Sequence, residues 1–74
     1  MSNKTVKEFL DITDFSDIDE VDIFEIHDGI TYEYEVIENS IEECCIRDFG
    51  DAEIAEFWIN EYEGQRILSI NVYG

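Results

Sequence analysis

The chain has 74 residues, enough for one small hydrophobic core, and we treat residues 1–74 as a single domain. It carries 20 Asp and Glu against 4 Lys and Arg, a net charge of −16, yet 45% of its residues are hydrophobic and 14% are aromatic. That composition is too apolar for a disordered acidic tail. The sequence has no apolar run near the ~20 residues of a membrane span and no signal-peptide pattern at its start, so we expect a soluble, cytoplasmic protein.

The negative charge is concentrated along the chain. Between Glu8 and Ile46 there are 14 acidic residues and no Lys or Arg. Direct binding to nucleic acid or to an anionic membrane is disfavoured by like charge, whereas a basic protein surface is favoured. A solvated face that merely keeps the protein soluble is the alternative, although small soluble domains need a net charge of only ~2 to 8.

The N-terminal half predicts a helix followed by a hairpin. Thr5 and Glu8 have the spacing of a capping box, which predicts a helix over residues 5–12. Residues 13–20 are polar and predict a loop. Strand-forming residues then lead to Asp28-Gly29, a two-residue turn signal, and to an alternating apolar and acidic segment; together these predict a hairpin over residues 21–37.

The C-terminal half predicts a second hairpin. Ser40 and Glu43 form a weaker capping box, and residues 41–48 fit either a helix, which we favour, or a third strand. Residues 67–73 alternate and need a neighbouring strand, so we interpret residues 54–62 as that strand and Glu63-Gly64 as the turn. The predicted fold is α+β: a four-stranded antiparallel sheet from two hairpins, with one or two short helices on one face.

No residue pattern predicts catalysis. Cys44 and Cys45 are adjacent, which fits neither a redox CxxC motif nor paired zinc ligands, and we expect one to be buried and the other half-exposed. His27, the only histidine, is expected at the end of a hairpin. A nucleophilic set of cysteine, histidine and carboxylate has no local signature here, so we expect no enzymatic activity.

The acidic residues do not form a specific metal motif. Asp14, Asp17, Asp19 and Asp22 suggest a calcium loop, but the glycine required at the sixth position of an EF-hand loop is missing. We predict no cofactor and no specific metal site. Weak binding of divalent cations by clustered carboxylates stays open.

Trp58 and Tyr62 are candidate interface residues, since aromatic side chains anchor many interfaces. A core role is favoured for them because the chain is short and Phe57, Trp58 and Ile59 form its most apolar stretch. If Trp58 instead points outward, a mixed aromatic and acidic surface would result.

The combination of small size, acidity and an α+β pattern resembles the DNA-mimic proteins of phages and mobile elements. The resemblance depends on a series of acidic residues with no Lys or Arg between them: Glu8, Asp11, Asp14, Asp17, Asp19, Glu20, Asp22, Glu25 and Asp28. The segments TVKEFL, DIFEI and ILSINV are also similar to small proteins of bacterial mobile elements. DNA mimics inhibit restriction enzymes, CRISPR effectors or DNA-repair enzymes by occupying the basic groove meant for nucleic acid.

The resemblance implies a phage or mobile-element inhibitor of a host defence protein. Its partner would be the basic DNA- or RNA-binding groove of that protein, and the chain itself would be a monomer or a homodimer. The predicted contact set is acidic: Asp14, Asp17, Asp19, Glu20, Asp22, Glu25, Asp28, Glu33 and Glu35. The alternative function is a small protein-interaction adaptor or regulator that uses an aromatic surface around Trp58 and Tyr62.

Overall fold

A five-stranded mixed sheet carries two short helices on one face. A computed structural model describes residues 4–73. The elements in chain order are helix α1 (Val6–Asp11), a 3₁₀ turn (Phe15–Asp17), strands β1 (Glu20–Glu25), β2 (Ile30–Ile37) and β3 (Ser40–Ile41), helix α2 (Glu43–Phe49), and strands β4 (Ile54–Tyr62) and β5 (Gln65–Val72). The predicted α+β class is confirmed. Among these elements, no helix has the length and apolarity needed to cross a membrane.

The sheet differs from the predicted one in strand number and direction. Its order is β3-β2-β1-β5-β4, with β1 and β5 parallel and the other pairs antiparallel. The prediction of a four-stranded antiparallel sheet is therefore wrong in detail. Leu68, Ile70 and Val72 of β5 are almost fully buried, as expected for a strand in the interior of the sheet. Its parallel pairing with β1 joins the two predicted hairpins into one sheet.

The first helix begins and ends as the sequence predicts. Thr5 is the N-cap, with its Oγ1 accepting from the Glu8 amide at 3.3 Å and its amide donating to Glu8 Oε1 at 3.0 Å. The loop predicted over residues 13–20 contains the 3₁₀ turn and also contributes Phe15 and Ile18 to the core. Burial of Phe15 and Ile18 thus anchors the segment between α1 and β1 to the core.

The hydrophobic core lies between the helices and one face of the sheet. Its fully buried side chains include Val6 of α1, Cys45 of α2, Ile23 of β1 and Ile70 of β5. Tyr34 of β2 is also buried, as the alternation of that strand predicts. Burial of one sheet face leaves the opposite face without any helix from the described part of the chain.

The turn of the first hairpin is longer than predicted. Residues 26–29 form a four-residue loop, and the Gly29 amide donates to the Glu25 carbonyl at 2.8 Å. Gly29 has a positive φ of 69°, whereas Asp28 does not, so the two-residue turn prediction is wrong. Paired positive φ values occur instead at Glu38-Asn39 and at Glu63-Gly64, the second of which confirms a predicted turn.

The remaining ambiguities resolve as one helix and one strand. Helix α2 confirms the preferred interpretation of residues 41–48, but its N-cap is Glu42, which makes no side-chain capping bond. The predicted Ser40 capping box is wrong because Ser40 pairs with Ile37 in β3. Strand β4 spans Ile54–Tyr62 as predicted.

Candidate protein-binding face

The face of the sheet that points away from the helices, here called the outer face, collects the alternate residues of four strands. Its members follow from strand register: Glu33 and Glu35 on β2, Glu20, Asp22 and Phe24 on β1, Ile67, Ser69 and Asn71 on β5, and Glu56, Trp58, Asn60 and Tyr62 on β4. Acidic residues dominate the β1 and β2 side. Aromatic and amide residues dominate the β4 and β5 side.

Four carboxylates of the outer face form what we call the acidic quartet: Glu20, Asp22, Glu33 and Glu35. Glu20 lies directly opposite Glu35, and Asp22 lies directly opposite Glu33. Directly opposite residues have Cβ atoms about 5 Å apart, and the two pairs follow each other by about 6.7 Å along the strands. Like charges in that arrangement repel strongly.

One carboxyl group of the quartet, that of Glu20, has a strongly raised pKa. Carboxylate oxygens of Glu20, Asp22 and Glu33 all lie within 4.8 Å of one another. A hydrogen bond to Asp22, partial burial and the negative charge of Asp22 raise the pKa of Glu20 to about 7. Asp22 Oδ1 is buried and receives no hydrogen bond from the described residues. A protonated Glu20 can donate a hydrogen bond to the Asp22 carboxylate.

The three closest carboxylates have the oxygen chemistry that hard cations prefer. Glu33 is exposed, and exposed acidic clusters are common without an ion, so the cluster alone does not define a metal site. The aspartates upstream serve local structure instead. Asp14 accepts from the Ser16 amide at 3.0 Å, and Asp19 accepts from the Arg66 amide at 2.9 Å.

All four basic side chains lie away from the outer face. Lys4 lines a depression beside α1, Lys7 lies in α1, and Arg47 lies in α2. Arg66 lies two residues before the buried Leu68 on β5 and therefore faces the helix side of the sheet. Its Nη2 pairs with Glu61 Oε1 at 3.0 Å. The acidic quartet therefore has no cationic neighbour on its own face.

Trp58 and Tyr62 lie on the outer face, and their predicted core role is wrong. Trp58 is 42% exposed and Tyr62 is 65% exposed. β4 is the last strand of the sheet, and alternation turns these two residues away from the helices. Because Trp58 points outward, the outer face is the mixed aromatic and acidic surface expected for that case.

Amide hydrogen bonds hold the aromatic side of the face in place. Asn60 Nδ2 donates to Ser69 Oγ at 3.1 Å, and Asn71 Nδ2 donates to Glu56 Oε1 at 2.9 Å. Between the two sides lies a shallow depression of about 340 Å³. Its lining includes Asp22, Phe24, Thr31, Trp58, Ser69 and Asn71.

The rest of the predicted contact set divides between the two ends of the sheet. Asp14, Asp17 and Asp19 lie before β1, where Asp17 and Asp19 line a depression with Arg66. Glu25 and Asp28 lie at the opposite end, and a hydrogen bond between them raises the pKa of Glu25. Of the predicted contact residues, the four of the acidic quartet are the ones that share the outer face of the sheet.

Cysteine and histidine occupy separate places. Cys45 is buried and Cys44 is half-buried, as predicted. Burial, followed by the charge of Cys44 and of nearby carboxylates, raises the pKa of Cys45 to about 12, so its thiol stays protonated at physiological pH. His27 is exposed in the 26–29 loop.

The sequence interpretation did not find the opposed carboxylate pairs. A two-residue turn at Asp28-Gly29 would pair Asp22 with Glu35 instead of Glu33. The observed four-residue loop shifts the register by two residues, which keeps every side chain on its predicted face but changes its partner. The length of the 26–29 loop sets this register, so a correct loop length would have located the acidic quartet.

No family model, curated protein or solved structure matched this chain. A function must therefore be inferred from the outer face itself.

Proposed function

We propose that this protein is an acidic inhibitor that binds the basic groove of a nucleic-acid-binding protein, such as a CRISPR effector or a restriction enzyme, in place of DNA. The acidic quartet carries the proposal: two opposed carboxylate pairs stand on an open sheet face from which every Lys and Arg is absent. Phage or mobile-element origin follows from the resemblance of size and charge. The proposed site consists of the protein's own carboxylates, without metal or cofactor.

The quartet is unfavourable for folding. Like charges directly opposite each other destabilise an antiparallel pair, and here two such pairs are adjacent. Solubility alone can be obtained with scattered charges and a smaller net charge. A cost to stability at one place on the surface is typical of a binding site.

The local charge density exceeds that of DNA. The whole surface of 5,051 Å² divided by the net charge of 16 gives one charge per ~320 Å², whereas DNA carries about one per 110 Å² of a cylinder of roughly 10 Å radius. Each outward residue of a sheet occupies about 4.8 by 6.7 Å, so four of them cover about 130 Å². Three ionised carboxylates in that area still exceed the density of DNA.

The depression beside the quartet suits an arginine side chain of the partner. Asp22 borders it on β1 and Trp58 borders it on β4, with Ser69 between them in the same cross-strand row. Asp22 and Trp58 are separated by two strand spacings, about 10 Å. A guanidinium group can pair with a carboxylate and stack on an indole ring, which supports a protein partner with exposed arginines.

The exposure of Trp58 favours the second candidate, an adaptor whose interface centres on Trp58 and Tyr62. In that case binding would depend on the aromatic side chains and little on salt. A groove-binding inhibitor would be displaced by duplex DNA and weakened by salt.

The test compares four tagged proteins in capture from a bacterial lysate. The first is the wild type, the second carries Glu33→Lys with Glu35→Lys, the third is a control with Asp11→Lys and Asp51→Lys, and the fourth carries Trp58→Ala. The control makes the same change in net charge at exposed positions outside the sheet. Bound proteins are eluted with duplex DNA and identified.

The proposal expects nucleic-acid-binding proteins that the wild type and the control retain, that DNA releases, and that the quartet variant loses. Equal retention by the quartet variant would contradict it. Loss of binding by folded Trp58→Ala, together with resistance to DNA, would establish the adaptor instead.

A further inference from the structure

Strand β4 leaves one long edge of the sheet open. At its start, Ile54 donates its amide to the Lys4 carbonyl, and Thr5 forms a bridge with Glu53. From Phe57 to Tyr62, no residue in the range 4–73 pairs with the outer edge of the strand. Natural proteins usually protect such an edge with charged side chains, especially lysine, with proline, with a β-bulge or with a covering loop. β4 has a bulge near its start, between Ile54 and Glu56, and carries Glu56 and Glu61, but it contains neither lysine nor proline.

The turn geometry identifies the open backbone groups. Glu63 and Gly64 have positive φ values of 51° and 80°, as in the two-residue turns that join antiparallel strands. Such a turn closes on a hydrogen-bonded pair, here Tyr62 with Gln65, and the hydrogen-bonding direction then alternates along the strand. The amides and carbonyls of Phe57, Ile59 and Glu61 consequently point toward solvent.

Apolar side chains flank this edge on both faces of the sheet. Phe57 is 54% exposed and Ile59 is 50% exposed on the helix side, while Trp58 is exposed on the outer face. The Phe57 ring lies 4.5 Å from the ring of Phe9, next to the exposed Ile12. The edge therefore offers both unpaired backbone groups and apolar surface to a partner strand.

We propose that a second copy of the chain pairs antiparallel with this edge to form a two-fold symmetric dimer. A two-fold register centred on a single residue keeps side chains on matching faces, and those centred on Trp58 and on Ile59 are two examples. The first places Glu56 opposite Asn60 and Phe57 opposite Ile59, and the second places Glu56 opposite Tyr62 and Ile59 opposite itself. In neither of these two registers does a glutamate of β4 lie directly opposite a glutamate of the second copy, so the strand is compatible with its own copy.

The large net charge opposes this dimer, most strongly at low ionic strength, and β4 itself carries Glu56 and Glu61. The acidic quartet lies on β1 and β2, two or three strands from β4 and thus about 10 to 14 Å from the edge. That distance exceeds the ~8 Å over which charges act at physiological salt. Salt should strengthen the dimer, whereas salt should weaken the binding of a basic partner, so the two proposals can fail independently.

Sedimentation equilibrium from low micromolar to near-millimolar concentration tests the dimer, at low and at physiological ionic strength. The apparent mass should rise from 8.7 kDa toward twice that value, and should rise further at higher salt. Ile59→Pro removes an amide of the open edge and leaves the pairing with β5 intact, so it should stay monomeric. Ile59→Val is the matched control and should dimerise like the wild type.

Ile59→Lys provides the same test if the proline variant does not fold, because an edge lysine is a common natural protection against pairing. A wild-type protein that stays monomeric at every concentration and salt would overturn the proposal. A folded Ile59→Pro or Ile59→Lys protein that dimerises as before would also overturn it, because the interface would then lie elsewhere.

Discussion

The two sides of the outer face share one sheet but differ in the partners available to their polar side chains. On β1 and β2, a hydrogen bond to Asp22, partial burial and the negative charge of Asp22 raise the pKa of Glu20 to about 7. On β4 and β5, Asn60 and Asn71 donate to Ser69 and Glu56 and leave aromatic rings exposed. The first side has no cationic partner among the described residues, whereas the second is held by hydrogen bonds within the chain. We therefore expect the two sides to respond differently to substitution, pH and salt.

The largest expected difference is in partner affinity. Glu33→Lys with Glu35→Lys should weaken binding to the captured partner at least ~100-fold, since lost charge-assisted contacts and new like-charge contacts together cost several kcal/mol. Trp58→Ala should weaken it about tenfold, through lost stacking and cation–π contact. Isothermal titration calorimetry with the purified partner measures both. A larger loss for Trp58→Ala would reverse the assignment of the two sides.

The second difference is in the pH dependence of stability. Between about pH 4.5 and 7 the folded chain keeps a proton on Glu20 that the unfolded chain releases, so the free energy of unfolding falls as pH rises through this window. Glu20 is partly solvated, so we expect a loss of about 1 kcal/mol. That loss corresponds to a melting temperature lower by about 4 to 8 °C at pH 8 than at pH 5.

Glu20→Gln separates this effect from general repulsion. The amide group donates to Asp22 at every pH, so the variant should melt higher than the wild type at pH 8 and show a flatter profile. Thermal melts followed by circular dichroism measure both quantities. An unchanged pH profile in Glu20→Gln would show that the raised pKa does not control stability.

A third difference concerns salt. Moderate NaCl should raise the melting temperature by a few degrees because it screens the repulsion within the acidic region. Asp22→Asn should reduce that increase, whereas Trp58→Ala should leave it unchanged. The series is repeated with chelator, since divalent cations bound by the carboxylates would also stabilise the fold. A flat or falling melting temperature between low and physiological salt would count against a concentrated acidic face.

The smallest effect is expected on the aromatic side. Asn60→Ala removes an exposed hydrogen bond to Ser69 and should cost about 0.5 to 1 kcal/mol. Urea unfolding measures this change, and its dependence on pH between 5 and 8 should match that of the wild type. A strong new pH dependence would mean that the two sides are electrically coupled.

Local sequence patterns predicted most of the helices, strands and turns, but they did not predict which distant strands pair. The Thr5 and Glu8 capping box, the alternation of β2 and the Glu63-Gly64 turn each depend on neighbouring residues, and each prediction is confirmed. The parallel contact of β1 with β5 joins segments about 47 residues apart, and hairpin signals carry no information about it. Strand number and order were therefore wrong.

The candidate site was predictable only in part for the same reason. Alternation assigned Glu33 and Glu35 to the solvent side, but their opposition to Asp22 and Glu20 required the length of the 26–29 loop. Trp58 was expected in the core because its stretch is apolar. Its outward position follows from its place in the alternation of β4, and its exposure follows from the outer face lacking a covering helix, which is a property of the whole sheet.

The most direct test of the central claim is a titration of ¹⁵N-labelled protein with an arginine-rich peptide, followed by amide chemical shifts. If the outer face is the basic-partner site, the largest saturable changes should fall on Glu20, Asp22, Glu33 and Glu35, extending to Ser69 and Trp58. Glu33→Lys with Glu35→Lys should abolish them, and Asp11→Lys with Asp51→Lys should not. Changes spread evenly over all exposed carboxylates, or largest on the helices, would contradict the account.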